Sequence, residues 1–157
     1  RPSDKLLPRD AWIDCACDIF IPAALGGAIH EGNCDALKAR LVVEAANLAT
    51  TPPARRSLHQ RGVVVIPDFA ANSSTSAWFT WVAFGEVGLN GPDSFAKVRT
   101  VVGDNIGRIL GLMKNNGLSP VEAGTQVAME NIETMVATYG QQYPVTPGTP
   151  GRVEVPA

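Results

Sequence analysis

Residues 63–81 constrain the fold of this chain more than any other stretch. They begin with VVVI, an apolar β-branched run typical of a strand that is buried on both faces of a parallel sheet. Pro67 and Asp68 end that strand, and five small polar residues, 72–76, precede an aromatic helical segment. Because ligands of open α/β sheets bind beyond the carboxyl ends of the strands, residues 72–76 are expected at a ligand site. The alternative is a helix N-cap with a solvated first turn, since Asn and Ser favour that position.

The length and charge of the chain exclude several classes of protein. A chain of 157 residues, 45% hydrophobic and 18% charged, is expected to form one globular domain with a sizeable core. The net charge of −2 and the absence of a basic cluster in the sequence argue against nucleic acid and membrane surfaces as partners. The sequence has neither a transmembrane-length apolar run nor a signal peptide, so a cytoplasmic location is expected. The Arg1-Pro2 start predicts that the sequence begins inside a longer protein.

The cysteines are predicted to be reduced and partly buried. Their number is odd, with Cys15, Cys17 and Cys34, which argues against a disulfide framework. One residue separates Cys15 from Cys17, whereas common zinc motifs have two to four residues between cysteines. No metal site is therefore predicted.

Two further strands are predicted before residue 63. They occupy residues 17–22, which end at a proline, and residues 41–45. A helical turn capped by Asn33 lies between them, and a helix from Thr51 to about Gln60 follows the second strand, with Gly62 closing it. Strands that alternate with helical crossovers should be parallel.

The rest of the chain is predicted to be helical. Ala77, Trp78, Trp81, Val82 and Phe84 should form the packing face of the helix that follows residues 72–76. After a turn at 88–92, apolar residues spaced by three and four predict a helix from Val98 to Met113. Asn116-Gly117 ends that helix, and the capping box Ser119–Glu122 begins a last helix that reaches about Tyr139. The fold class is therefore α/β: a partial, doubly wound parallel sheet of about three strands, followed by C-terminal helices, with an open sheet edge.

Three segments carry a resemblance to a known family. They are CDIFIPAALG at residues 17–26, VEAAN at 43–47 with TTP at 50–52, and IPD at 66–68 with Asn72 and WFTW at 78–81. Together they resemble the C-terminal, nucleotide-binding half of the glutamate/leucine/phenylalanine/valine dehydrogenases. On this basis residues 12–91 are expected to be the C-terminal half of a Rossmann-like dinucleotide-binding domain, and residues 92–140 the closing helices. Residues 1–11 are then a connector and 141–157 a Pro/Gly-rich tail.

The resemblance implies oxidative deamination of an L-amino acid to a 2-oxo acid and ammonia with NAD or NADP. It implies that Ala23 and Ala24 flank the cofactor, that Asn47 bonds the nicotinamide ribose or carboxamide, and that Asn72 lies near the nicotinamide and the substrate. Ser76 is the nearest candidate for binding the substrate carboxylate. Small alanines let a flat ring approach the backbone, and an Asn amide both donates and accepts hydrogen bonds. For Asn47 the alternative is an ordinary turn residue.

The sequence also departs from the family pattern. Residues 73–75, SST, replace the family glycines, and the segment from Asp68 to Trp81 is two residues shorter than usual. The phosphate-binding turn G-x-G-x-x-G is missing from its usual strand–helix context. The family's catalytic lysines and aspartate lie outside this chain, so its catalytic residues are unknown, and Lys38, Lys97 and Lys114 are expected on solvated surface.

The leading hypothesis is a fragment or subunit of an amino-acid dehydrogenase that is inactive alone. Its expected partners are the amino-acid or 2-oxo-acid substrate, the missing N-terminal half or a companion chain, and further copies in a homo-oligomer. The first alternative is a stand-alone, non-catalytic module of this family that binds a ligand or a partner. The second is a structural subunit that pairs through the closing helices. An exposed apolar sheet edge favours the fragment, whereas an evolved module should cover that edge. The amino acid, and the choice between NAD and NADP, stay open.

Overall fold

A three-stranded parallel sheet organises the molecule. The computed structural model describes residues 6–8 and 10–139. The strands, in the spatial order in which they pair, are β1 (Ile19–Phe20), β2 (Leu41–Val43) and β3 (Val64–Ile66). Both pairings are parallel, with Ile19 opposite Leu41 and Val42 opposite Val65. The predicted α/β class and parallel sheet are confirmed.

The strands are shorter than the sequence pattern predicted. Residues 17–22 and 41–45 were expected to be strands, but β1 has two residues and β2 has three. At the carboxyl end the carbonyl of Pro22 accepts hydrogen bonds from both Ala45 N and Ala46 N, at 3.1 and 2.8 Å. Because one carbonyl binds two consecutive N–H groups, the chain turns out of the ladder and the strands end there.

Five α-helices and one 3₁₀ turn complete the described structure. The 3₁₀ turn is Cys34–Ala36, and the helices are α1 (Pro52–Gln60), α2 (Asp68–Ala71), α3 (Ser74–Ala83), α4 (Gly91–Asn116) and α5 (Pro120–Tyr139). The predicted signals at the ends of α1, α4 and α5 are confirmed. Thr51 Oγ1 accepts from Ala54 N, and Ser119 and Glu122 form the reciprocal capping box. Gly62 and Gly117, which follow α1 and α4, have φ of +78° and +69°, a backbone conformation that favours glycine.

One helix start, one short helix and one cap differ from the prediction. Helix α4 begins at Gly91, seven residues before Val98, because Asn90 Oδ1 caps it by accepting from Asp93 N at 2.9 Å. Residues 68–71 form a short helix that the pattern did not predict. The Asn33 side chain accepts from His30 N and donates to the carbonyl of Ala28. It therefore fixes the preceding loop rather than capping a helical turn.

The two faces of the sheet bury separate apolar clusters. Val42 and Val65 point into the first cluster together with Leu58 of α1. Leu41, Val64 and Ile66 point to the opposite face, where Ile109, Ala123 and Val127 of α4 and α5 form the centre of the second cluster. Successive residues of a strand point to opposite faces, so the apolar run at residues 63–66 is buried on both sides as predicted.

Helix α3 packs less tightly than its aromatic pattern predicted. Ala77, Trp78, Trp81 and Val82 are not fully buried, and Phe84 is 70% exposed. The indole N–H of Trp78 donates to Ser94 Oγ at 2.8 Å, which attaches α3 to the first turn of α4. The predicted packing face is therefore a partial contact with α4 rather than a buried face.

The remaining predictions concern the cysteines, membrane-spanning helices and the two ends of the chain. Cys34 is buried, whereas Cys15 and Cys17 are exposed rather than partly buried, and all three are free thiols. Among the described residues, none of the helices combines the length and the apolar character needed to cross a bilayer. The predicted tail, 141–157, and residues 1–5 and 9 of the connector lie outside the described residues.

Candidate functional site

Three loops meet at the carboxyl ends of the strands. They comprise residues 21–27 after β1, residues 44–50 after β2, and residues 67–72 after β3, which include the short helix α2. Gly27 N donates to Leu48 O at 2.8 Å, which ties the first loop to the second. A Cβ on Gly26 would lie 3.0 Å from Asn47 O, so this approach of two backbones requires glycine. At the edge where sequence analysis expected a ligand, the loops are therefore held together by backbone contacts.

Glu44 is the centre of this set of loops. Its side chain is fully buried, and it accepts three hydrogen bonds. Thr50 N donates to Oε1 at 2.7 Å, while Arg55 Nη2 and Asp68 N donate to Oε2 at 2.8 and 3.0 Å. A buried carboxylate is stable when it is paired and hydrogen-bonded, and Glu44 is both. It links its own loop to α1 and to α2.

Asp68 links the third loop to the second. Its Oδ2 accepts from Leu48 N at 2.9 Å, and its backbone carbonyl accepts from Asn72 N at 2.7 Å. Leu48 has φ of +50°, the left-handed region that non-glycine residues seldom adopt. The residue that follows Asn47 is thus held in an unfavourable backbone conformation by neighbouring loops.

The two predicted asparagines are in contact. Asn72 Nδ2 donates to Asn47 Oδ1 at 2.8 Å, although 25 residues separate them in the sequence. Asn47 is exposed and Asn72 is half-buried, so both residues reach the surface at the edge formed by the three loops. Sequence analysis assigned them to one site, and the structure places them side by side.

The remaining predicted site residues lie around this pair in different ways. Ala23 and Ala24 are exposed in the loop after β1. Ser76 is exposed in the first turn of α3, where its backbone carbonyl accepts from Thr80 Oγ1 at 3.1 Å. Residues 73–76 form the N-cap and first turn of α3, as the alternative interpretation of this segment predicted. Among the described residues, the hydroxyl of the N-cap, Ser73, makes no capping hydrogen bond.

The side chain of Lys97 packs against an aromatic ring. Its Nζ lies 5.3 Å from the ring centroid of Trp81 and 3.2 Å from Glu86 Oε2. The contact with Trp81 of α3 therefore holds the side chain of Lys97, which projects from α4. Lys38 lies in the loop that follows the 3₁₀ turn, Lys114 lies in the last turn of α4, and both are exposed.

Sequence analysis missed Glu44 and Asp68. Glu44 was assigned to a strand and Asp68 to a strand end, with no role for either carboxylate. The sequence did hold a signal for Glu44, because this glutamate directly follows the buried strand β2. Glutamate is almost never fully buried unless it is paired, so a charged partner could have been expected. Its partner, Arg55, lies on the next helix, and the sequence does not show that contact.

Comparison with known proteins decides the family. Residues 2–138 match the family model described as Glutamate/Leucine/Phenylalanine/Valine dehydrogenase. The chain belongs to this family. The resemblance drawn from the three sequence segments is thus confirmed at the level of the family.

Curated relatives of this family are similar over part of their length. The chain is 43% identical over 83 residues to the glutamate dehydrogenase of Thermotoga maritima, covering 52% of this chain and 20% of that protein. It is 31% identical over 146 residues to the NADP(+)-dependent glutamate dehydrogenase of Pyrobaculum calidifontis, covering 87% and 34%. A third relative is the NAD-specific glutamate dehydrogenase of Staphylococcus aureus, 47% identical over 81 residues, covering 50% of this chain and 20% of that protein. The chain thus spans a fifth to about a third of these relatives.

Solved structures of amino-acid dehydrogenases share the fold. A glutamate dehydrogenase from Peptoniphilus asaccharolyticus superposes with a TM-score of 0.65 at 26% identity, over 79% of this chain and 32% of that one. An L-tryptophan dehydrogenase from Nostoc punctiforme gives 0.69 at 22% identity, over 80% and 37%. A hetero-hexameric glutamate dehydrogenase from Thermus thermophilus gives 0.71 at 20% identity, over 90% and 34%. The last two, below 25% identity, show the fold alone.

Proposed function

We propose that this chain is the C-terminal, nucleotide-binding part of an NAD(P)-dependent L-amino-acid dehydrogenase and forms the nicotinamide side of its cofactor site. The observation that carries this proposal is the Asn47–Asn72 pair at the carboxyl edge of the sheet. Ligands of open α/β sheets bind at that edge. Family membership and relatives named as NAD-specific and NADP(+)-dependent glutamate dehydrogenases support a nicotinamide cofactor.

The chemistry of the asparagine pair fits a primary carboxamide. The hydrogen bond between the two amides uses Asn47 Oδ1 and one N–H of Asn72. Asn47 keeps both N–H donors and Asn72 keeps its carbonyl acceptor. The carboxamide of nicotinamide offers the complementary pair, one oxygen that accepts and one NH₂ that donates. The two asparagines can therefore orient the ring through that group.

The neighbouring residues are assigned supporting roles. The methyl side chains of Ala23 and Ala24 leave room for a flat ring against the loop after β1. Ser76 is proposed to bind the substrate carboxylate from α3. The bound nicotinamide supplies the hydride acceptor, and the protein supplies its orientation.

The edge of the sheet at β1 supports a role as one part of a longer enzyme. Ile19 and Ile21, on and beside β1, are 55% and 59% exposed, and Leu25 in the following loop is 68% exposed. An edge strand that exposes apolar side chains is normally covered by further structure. We propose that the N-terminal half of the enzyme covers it and supplies the phosphate-binding turn and the catalytic lysines and aspartate. This surface favours the fragment over the free-standing module.

The domain limits and assembly follow from the same proposal. Residues 12–91 form the C-terminal half of the dinucleotide-binding domain and residues 92–140 close it. We expect the complete enzyme to be a homo-oligomer, although the related glutamate dehydrogenase from Thermus thermophilus is hetero-hexameric. A cytoplasmic location stays a prediction.

The proposal is tested by titrating the ¹⁵N-labelled chain with nicotinamide mononucleotide, and in parallel with AMP, while recording NMR spectra. Nicotinamide mononucleotide should shift the side-chain amides of Asn47 and Asn72 and the backbone amides of Ala23 and Ala24, and AMP should not. Asn72→Ala should weaken the binding about tenfold, the effect of one lost hydrogen bond. Asn115→Ala, on the exposed last turn of α4, is the matched control.

Two results would contradict the cofactor site. One is an equal response to AMP, and the other is a response to nicotinamide mononucleotide confined to residues outside the three loops.

Catalysis is tested separately, by assaying the full-length protein with a panel of L-amino acids and with both NAD and NADP. The isolated chain is expected to give no turnover in that assay, because general acid–base catalysis needs a group within reach of the substrate.

A further inference from the structure

We propose that the carboxylates of Glu44 and Asp68 are positioning residues, which hold Asn47 and Asn72 in the geometry that binds nicotinamide. This inference rests on the proposed role of the two asparagines. The hydrogen bonds of both carboxylates go to backbone N–H groups and to Arg55. Both therefore act through the loops that carry the asparagine amides.

Asp68 contacts the backbone next to Asn47 and the backbone of Asn72. Its side chain binds Leu48 N, the residue that follows Asn47, at 2.9 Å. Its backbone carbonyl binds the N–H of Asn72 itself at 2.7 Å. One residue therefore binds the backbone N–H groups of Leu48 and Asn72, which lie in the two segments that carry the asparagine pair. A hydrogen bond to a charged acceptor is stronger than one between neutral groups, which suits this task.

Leu48 shows why a fixed acceptor is needed. Its φ of +50° is unfavourable for a residue with a Cβ, and such conformations persist when the surrounding structure enforces them. The Leu48 N–H is held by Asp68 and its carbonyl by Gly27 N, at 2.9 and 2.8 Å. With the Asp68 acceptor removed, the backbone at Leu48 is free to relax, and the direction of the Asn47 side chain changes with it.

Glu44 holds Asp68 in turn. Its Oε2 accepts from Asp68 N at 3.0 Å, and its Oε1 accepts from Thr50 N at 2.7 Å. The charge is balanced by Arg55, whose Nη2 lies 2.8 Å from Oε2 and whose side chain is 18% exposed. Glu44 thereby closes the loop that carries Asn47 and anchors the start of α2 with the same group. The buried Glu44–Arg55 pair thus supports the two segments that carry the asparagines.

The test compares Asp68→Ala with Asp68→Asn. The Asn side chain keeps an oxygen that can accept from Leu48 N, whereas Ala has none. In the ligand-free protein, Asp68→Ala should shift the side-chain amide signals of Asn72 and speed hydrogen exchange at Leu48 N, and Asp68→Asn should largely preserve both. Nicotinamide mononucleotide should bind Asp68→Ala about tenfold more weakly and Asp68→Asn within about twofold of the unchanged chain. Asp104→Ala, on the exposed surface of α4, is the control.

The outcomes separate the two proposals. The positioning role is overturned if Asp68→Ala leaves both the Asn72 signals and the hydrogen exchange at Leu48 N unchanged. This holds whether or not the variant binds nicotinamide mononucleotide more weakly. Equal weakening by Asn and Ala also overturns it, because rescue by the conservative variant is then missing. If the signals change as expected but the unchanged chain binds no nicotinamide mononucleotide, the proposed function fails and the holding contacts stand. Should Asp68→Ala not fold, Asp68→Ser replaces it, because the serine side chain is one atom shorter than that of Asp68 and lacks the carboxylate oxygen that accepts from Leu48 N.

Discussion

Replacing Glu44 by Gln perturbs the loops at the strand ends without changing the size of the side chain. All three groups that contact this carboxylate are donors: Thr50 N on Oε1, and Arg55 Nη2 and Asp68 N on Oε2. A glutamine has one acceptor oxygen, so its NH₂ must face at least one of these donors. The substitution also leaves the Arg55 guanidinium without its counter-charge.

The expected loss of stability follows from burial. Removing one partner of a buried ion pair costs roughly 3–5 kcal/mol, because the other charge stays buried without compensation. Glu44 is fully buried, but Arg55 keeps 18% of its side-chain surface in contact with solvent, which favours the lower end of that range. We expect Glu44→Gln to lower the free energy of unfolding by about 3 kcal/mol, a large part of the roughly 5–15 kcal/mol typical of a domain.

Urea unfolding, followed by circular dichroism and by tryptophan fluorescence, measures this loss. Glu86→Gln is the matched control, because it breaks a pair with Lys97 in which the two side chains are 43% and 35% exposed. An exposed pair of this kind contributes less than about 1 kcal/mol. If Glu44→Gln and Glu86→Gln lower the free energy of unfolding equally, the reasoning from burial is wrong.

Three further predictions concern the helices. Gly107 lies inside α4, and a Cβ added there would meet no atom of a neighbouring element within 4 Å, so Gly107→Ala should raise the free energy of unfolding by about 0.5–1 kcal/mol in urea titrations. Gly117→Ala should lower it by about 1 kcal/mol in the same titrations, because φ is +69° at the end of α4; a gain there would contradict the assignment. The hydrogen bonds from the Ser119 hydroxyl and backbone N–H hold the pKa of Glu122 below its ordinary value of 4.5. These hydrogen bonds to the ionised Glu122 therefore stabilise the folded chain. Their contribution is fully present above the ordinary pKa and is lost as the pH falls through the lowered pKa. Ser119→Ala should therefore lose less stability than the unchanged chain when melting temperatures are compared between about pH 6 and pH 3, and an identical pH dependence would count against the capping box.

Local signals predicted most of the helix ends. Thr51 with Pro52, Ser119 with Glu122, and Gly117 each act through hydrogen bonds or backbone conformations within about four residues of themselves. Tertiary contacts have little influence on such interactions, so the sequence alone predicts them. The missed start of α4 belongs to the same class, since Asn90 followed by Gly91-Pro92-Asp93 is a capping signal that was assigned to a turn.

Sequence analysis proposed residues for the site but could not show their contacts. Asn47 and Asn72 came from a resemblance between sequence motifs, whereas their hydrogen bond depends on the register of β2 and β3 and on the turn at Leu48. Ala23 and Ala24 lie in the loop after β1 as expected, and their roles stay predictions. Ser76 stays a prediction as well, because the shortened segment before α3 alters its position relative to the family pattern.

The sequence by itself determined the parallel α/β class, the family and most of the helix ends, because periodicity, motif order and capping act over short stretches of chain. Only the tertiary structure decided that Glu44 is buried, that Asp68 holds the Asn47 loop, and that α3 keeps its aromatic residues partly exposed. Each of these depends on segments about 10 to 25 residues apart in the chain meeting in space. The physical reason is that a carboxylate has the same local preferences whether it is solvated or buried, and the fate of its charge is settled by the donors that the fold brings to it.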